Sequence, residues 1–295
     1  VNSYRKGKLY LVFEFVDIEE RFNEENAKLN EIENNVLFSP EIFEGTSEVM
    51  IYDYFDEGRS ETFYYLKTSD GTRYKLNFLQ GNDPNFISGE GIRVTGTLSN
   101  VATDENEISV DNLEILQPAT AGAEPNPNLG EQKILIIVVN FQDDQNISLN
   151  NFSFISNRLF NETLTNDISA NEYFIESSYG KTWLSGNTSS IFGYYTLPVS
   201  INSDFNPELY IQAIEAADDD VFFPNYDRLL IYTPIHPDSY GSIVGTGTLG
   251  PISIETDDGQ INMPVAEILG PNYFPISTVR HELAHTFGAS HGGYY

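Results

Sequence analysis

Hydrophobic and polar positions along this chain change rhythm four times. Residues 8 to 17, KLYLVFEFVD, are apolar enough for a strand. The charged IEERFNEENAKLNEIENN that follows has only sparse apolar positions, the pattern of a surface helix or a disordered stretch. From Glu48 short alternating runs take over: EVMIYDYFD, ETFYYLKT, TRYKLNFL, GIRVTGTLS and ISVDNLEIL, parted by turn signals such as Ser69-Asp70-Gly71. After a Pro/Gly/Ala-rich stretch, KILIIVVNF is continuously apolar and β-branched, as in a strand covered on both faces. LNNFSFISNRLF and NPELYIQAIEAAD then read as helices, with SIFGYYTLP and DRLLIYTP as strands.

This rhythm predicts an N-terminal segment over 1–44, a small all-β barrel over 45–117, a linker over 118–132 and an α/β (α+β) domain with a twisted mixed sheet over 133–295. The stretch SGEGIRVTGTL, followed by one more strand, resembles the end of an OB-fold. Such barrels often bind single-stranded nucleic acid through basic and aromatic residues. Here Tyr52, Tyr54, Phe55, Tyr64 and Tyr65 are interleaved with acids, so they are expected in core and cross-strand packing. Trp183 is expected in the core. The stretch GPISIETDDGQI, residues 250 to 261, reads as strand-turn-strand, one of whose edges offers itself for β-addition of a peptide.

Composition narrows the partners. Lys+Arg number 15 against 44 Asp+Glu, a net charge of -29 that repels nucleic acid and anionic membranes. Runs such as Asp218–Asp220 or Asp143 and Asp144 read as solvated surface; their oxygens also suit calcium, though no ligand set stands out. Cysteine is absent, so neither disulfides nor a thiolate metal ligand enter the fold. No uninterrupted apolar run is long enough for a membrane helix. Asn-x-Ser/Thr sites at Asn146, Asn151, Asn161 and Asn187 are compatible with secretion.

Chemistry concentrates in HELAHTFGASH. On a helix His281 and His285 differ by about 40° of rotation, so both imidazoles reach one metal ion. Glu282 points about 100° around the axis, suiting a base beside the metal more than a further ligand. Gly288 sits where the helix must end and turn, and that turn brings His291 back as third ligand. Three imidazoles leave one corner of tetrahedral zinc open, the requirement of a catalytic site. Bracing zinc sites commonly use four protein ligands including Cys, and here there is none. His236, between two prolines, is expected in an exposed loop, and Arg280 on the outer side of the helix.

At HELAHTFGASH the chain resembles the metzincin clan of zinc endopeptidases, most of all the gametolysin-like family; KILIIVVNFQDD and EYFIESSYGKTWLSGN are similar to upstream segments of that family. The resemblance implies a metzincin-like catalytic subdomain with zinc on His281, His285 and His291, and Glu282 as general acid and base. It further implies a protein or peptide substrate, secretion, and a pro- or accessory role for the domain before it. In that clan a methionine-containing turn follows the third histidine, whereas Met50 and Met263 both lie upstream. The natural polypeptide is therefore expected to continue beyond Tyr295 and to start before Val1. Two other classes compete: a non-catalytic extracellular binding or adhesion protein with a vestigial zinc site, and an oligonucleotide-binding barrel, which the charge disfavours.

Overall fold

The computed structural model describes residues 2–5, 8–11, 40–79, 84–99, 106–118, 128–143, 151–161, 167–201, 209–234, 242–270 and 274–291. The chain divides into two compact units, Val1–Glu41 and Ile42–Tyr295. In the first, β1 (Asn2–Arg5) and β2 (Lys8–Leu11) pair antiparallel, Asn2 opposite Leu11. The charged segment expected as helix or disordered chain lies outside the described residues, as do most of the expected linker and His236.

The second unit opens with five strands: β3 (Glu41–Tyr54), β4 (Arg59–Lys67), β5 (Arg73–Asn77), β6 (Gly91–Ser99) and β7 (Asn106–Gln117). They follow the order β3-β4-β5-β7-β6, and β6 pairs back with β3, so the set closes into a ring. Strict alternation in β6 buries Ile92, Val94 and Gly96. With Val49, Leu66, Leu76, Phe86 and Ile108 the two apolar residues fill the ring's interior.

After the ring come β8 (Gly130–Phe141), helix α1 (Phe152–Phe160), α2 (Ala170–Ser177), β9 (Thr182–Ser185) and β10 (Ile191–Leu197). Then follow α3 (Leu209–Ala217), β11 (Arg228–Thr233), β12 (Gly245–Thr248), β13 (Ile252–Thr256), β14 (Gly259–Met263), β15 (Val265–Leu269) and α4 (Ile276–Thr286). Strands β10, β8, β11 and β15 run parallel in that order, and β12 joins β15 antiparallel.

The continuous apolar run of β8 serves both faces of this sheet. Leu135, Ile137, Val139 and Phe141 pack with Leu209, Ala213 and Ile214 of α3 on one side. Ile134, Ile136 and Val138 pack with Ile155 of α1, Phe174 of α2 and Val279 and Leu283 of α4 on the other. At about 25 cal/mol per Å² of apolar surface, two-faced burial is the main force fixing this strand at the centre.

The architecture is therefore mixed α/β, strand-rich, with few helices. Residues 45–117 and 133–295 fall within one compact unit, because β3 belongs to both parts: Thr46–Tyr54 pair with β4 while Met50–Asp53 pair with β12. Trp183 departs from expectation. It alternates with buried Thr182 and Leu184 on β9 and points outward, 41% exposed. Tyr52 and Tyr65 are buried as expected; Phe55, in the turn after β3, is exposed. The segment expected as strand-turn-strand is the hairpin β13–β14, whose strands form a sheet of their own. The strand that meets α4 is β12, which is paired on both sides, with β15 and with β3.

Candidate metal centre

Helix α4 is anchored by Ile276, Val279 and Leu283, whose spacing makes one apolar face against β15 and its neighbours. Its other faces carry the chemistry. The helix ends at Phe287, and Gly288 takes φ +91, a left-handed conformation that a residue with a Cβ reaches only with strain. Its N–H donates to the His285 carbonyl at 2.8 Å, closing the last turn. Buried Arg228 completes this end: its guanidinium donates to the Thr286 carbonyl and hydroxyl, to Gln132 and to Asn128, and lies 3.6 Å over the Phe287 ring.

The turn delivers His291 to the other two histidines. Nε2 of His281 and Nε2 of His291 are 3.0 Å apart, and the ring centroids of the three residues lie 4.8 to 5.1 Å from one another. A fourth donor comes from far away in sequence. Asp53, near the end of β3, places Oδ2 3.1 Å from Nε2 of both His281 and His285, and Oδ1 3.2 Å from Nε2 of His291. One ligand atom from each of the four residues lies within 4.8 Å of all the others.

Protons alone leave this cluster poorly matched. Nδ1 of His285 sits 2.6 Å from the Ala289 carbonyl, which accepts only, so that nitrogen carries the proton and donates. In the neutral ring Nε2 then holds a lone pair, facing a carboxylate that is also an acceptor. The His285 lone pair, the Nε2 atoms of His281 and His291 and the carboxylate converge on one point, a donor set that fits a divalent cation. Tetrahedral zinc with bonds of about 2.0–2.1 Å sets its ligand atoms about 3.3 Å apart; the His281–His291 and Asp53–histidine contacts of 3.0–3.2 Å lie near that value, and all four donors fall within 4.8 Å. Nδ1 of His291 contacts the Ser60 hydroxyl at 2.7 Å, so two of the three rings are oriented through their second nitrogen.

Electrostatics follow the same geometry. With protons on the rings in place of a cation, burial works to raise the Asp53 pKa, but hydrogen bonds from His281 and His285 and the nearby charges of His291 and His281 outweigh it and pull the group to about 2. Glu282 is fully buried, and burial, then the charges of Asp53 and Glu267, push its pKa well above the usual carboxylate range. Neither of its carboxylate oxygens has a hydrogen-bond partner among the described residues. An uncompensated buried carboxyl is costly and calls for a reason.

Two glycines admit the helix to this position. A Cβ on Gly245 would collide with the Glu282 carboxyl, and one on Gly247 would stand 2.7 Å from the His285 Cβ and 2.8 Å from the Glu282 carbonyl oxygen. Both face α4 because residues two apart on a strand share a side. On the solvent side the centre opens into a cleft of about 370 Å³ lined by Asp53–Phe55, Gly58–Ser60, His281 and His291. Phe55 stands edge-on to the His281 ring at 5.0 Å.

The structure thus brings together His281, His285 and His291; Glu282, the other residue singled out by spacing, is buried on the same helix with its carboxyl against Gly245 of β12. Arg280 turns away from them, toward Asp167 and the Ile168 carbonyl. Asp143 accepts from Ser200 and the Ile201 amide, and the acidic runs take no part in the one candidate metal cluster found among the described residues. Sequence reasoning left the fourth corner open; Asp53 fills it. The signal in EVMIYDYFD is weak: Asp53 is a carboxylate in a stretch where Val49, Met50, Ile51 and Tyr52 are all buried, and both faces of the strand are covered. No protein-family model matches the chain, and no curated protein matches it significantly.

Proposed function

We propose that this chain is a secreted zinc-dependent endopeptidase of metzincin type, with His281, His285 and His291 holding zinc and Glu282 transferring protons. The observation that carries the reading is the convergence of three imidazoles at the end of a helix that also bears the buried, unpartnered carboxyl of Glu282. Three neutral nitrogens without any thiolate are a donor set that suits zinc. When bound there, zinc polarises a carbonyl and lowers the pKa of water to about 7. In this reading Glu282, whose proton affinity is raised by burial, takes a proton from the attacking water and returns it to the leaving amine. The Ala289 carbonyl holds the His285 ring in one orientation and tautomer.

Other features support the finer fold reading. The closed ring β3-β4-β5-β7-β6 agrees with an OB-like barrel, and the parallel strands with antiparallel β12 under α4 agree with a catalytic subdomain. No helix among the described residues is long and apolar enough to cross a membrane. A second reading is favoured by Asp53: four protein donors make a closed set, as in a non-catalytic binding protein that keeps zinc only as a brace.

The test is zinc stoichiometry and cleavage of a quenched-fluorescence peptide library, run on the full chain with Asp53 intact and with Asp53→Ala. The expected result is one zinc per chain and hydrolysis that Glu282→Gln lowers by roughly 100-fold or more without loss of metal. Cleavage unaffected by Glu282→Gln, or metal-loaded chains of both kinds that cleave nothing, would overturn the peptidase reading.

A further inference from the structure

The three imidazoles are held unequally. His281 and His285 ride on α4, whose apolar face is packed against the sheet, and the Ala289 carbonyl fixes the His285 ring as well. His291 stands outside the helix, three residues past Gly288. The Ala289 amide donates to the Ala284 carbonyl at 3.2 Å, and beyond it Ser290 and His291 make no backbone hydrogen bond among the described residues. The third ligand is therefore anchored by its ring. On one side Nε2 meets His281 Nε2 at 3.0 Å and Asp53 Oδ1 at 3.2 Å, the atoms that face the cation position. On the other, Nδ1 has a single partner among the described residues, the Ser60 hydroxyl at 2.7 Å.

Strand pairing brings Ser60 there. β4 begins at Arg59, directly after Gly58 at φ +62, and runs antiparallel to β3 with Ser60 opposite Asp53. Residues directly opposite on such a ladder share a face, so the hydroxyl and the carboxylate both reach His291. Arg59 and Glu61, one place to either side, bond to each other on the other face. A hydroxyl also suits the chemistry. For Nε2 to offer a lone pair to a cation, a neutral imidazole must carry its proton on Nδ1, and the Ser60 oxygen accepts that N–H. Because it rotates, the same hydroxyl donates to Nδ1 when the ring proton sits on Nε2. The Ala289 carbonyl has no such freedom, so His285 is locked in one tautomer while His291 keeps its partner in either.

We infer that Ser60 is a positioning residue for the third metal ligand: its hydroxyl accepts from Nδ1 of His291 and aims Nε2 at the point on which His281 and His285 converge. The inference rests on the metal-holding part of the reading above and is independent of peptide hydrolysis. Contacts of this kind to the second nitrogen of a ligand histidine change metal affinity by roughly 10- to 100-fold. Ser60 is exposed, so water competes for the ring and the lower end of that range applies.

The test compares the full chain with Ser60→Ala and Ser60→Thr. Zinc affinity is measured by competition with a chromophoric chelator, and nitrogen-edited proton NMR of the zinc-loaded proteins follows the His291 ring N–H. Ser60→Ala is expected to bind zinc roughly 10-fold more weakly and to lose the ring N–H signal to exchange with water, and Ser60→Thr to restore both. Without metal, the urea midpoints of parent and Ser60→Ala should coincide. Equal zinc affinity in parent and Ser60→Ala, a loss that threonine does not restore, or a lower midpoint of the metal-free alanine variant would overturn the role of the hydroxyl and leave the zinc site standing. A parent that takes up no zinc would overturn the metal reading and this inference with it. A zinc-loaded parent that shows the Ser60 effects yet cleaves no peptide would overturn the peptidase reading alone.

Discussion

Gly247 and His285 are in such close register that a methyl group on the glycine would stand 2.7 Å from the histidine Cβ. Backbone of β12 and backbone of α4 therefore touch almost directly, and the metal centre depends on that approach. Gly247→Ala is expected to push α4 away and cost about 1–3 kcal/mol of stability, as overpacking does. Urea denaturation reads the loss, and a zinc titration of the same protein should show weaker binding. An unchanged zinc affinity would show that α4 yields without moving His285.

Arg228 makes a second prediction. Its donors reach the Thr286 carbonyl, Gln132 and Asn128 in a buried setting, at the point where α4 gives way to the turn carrying His291. Arg228→Met leaves those acceptors unsatisfied and is expected to cost about 2–4 kcal/mol. Arg228→Lys should recover little, because one ammonium cannot replace a three-way fork. Both variants are expected to bind zinc more weakly, measured by competition with a chromophoric chelator.

The helix with its histidines, the turn at Gly288 and the two-faced strand β8 were legible because each is a local pattern. Helical spacing gathers His281 and His285, glycine permits positive φ at 288, and an unbroken apolar run has no exposed side. Asp53 was not legible in the same way. It lies 228 residues from His281, and only the pairing of β3 with β12 brings them together. The alternating glycines of GTGT were likewise silent, since their meaning comes from the helix that covers them. Trp183 was misplaced because alternation on a short strand of a large sheet decides its side more than its size does.

Metal removal should show as lost stability. A cation that binds only the folded chain contributes about 4.1 kcal/mol when present at 1,000 times its Kd. Chelation of the zinc-loaded chain is therefore expected to lower the thermal midpoint by several degrees. His285→Ala should abolish most of the difference between melts with and without chelator. Equal midpoints for metal-loaded and chelated parent would argue against a folded-state metal site.

Glu267 gives a pH prediction. It is buried between β12 and β11, burial raises its pKa to about 7, and the hydrogen bond from Thr246 only partly offsets this. The unfolded chain releases this proton near the ordinary carboxylate value, so from about pH 4.5 to 7 the folded state holds more protons than the unfolded one. Stability from this group is full below that window, falls as pH rises through it and is gone above it. The range is worth about 3 kcal/mol. Glu267→Gln should flatten this slope and exceed the parent in stability at pH 8, as read by urea midpoints across the range.

A strand shared by ring and sheet rules out loosening by hinge alone. Parting ring from sheet has to proceed as an unzipping of Met50–Asp53 from Gly245–Thr248, and the Val244 and Leu249 amides, which donate across that seam, are its natural reporters. Their deuterium uptake should stay slow in the intact protein and quicken together when the seam opens, giving a clock for strand separation that needs no ligand.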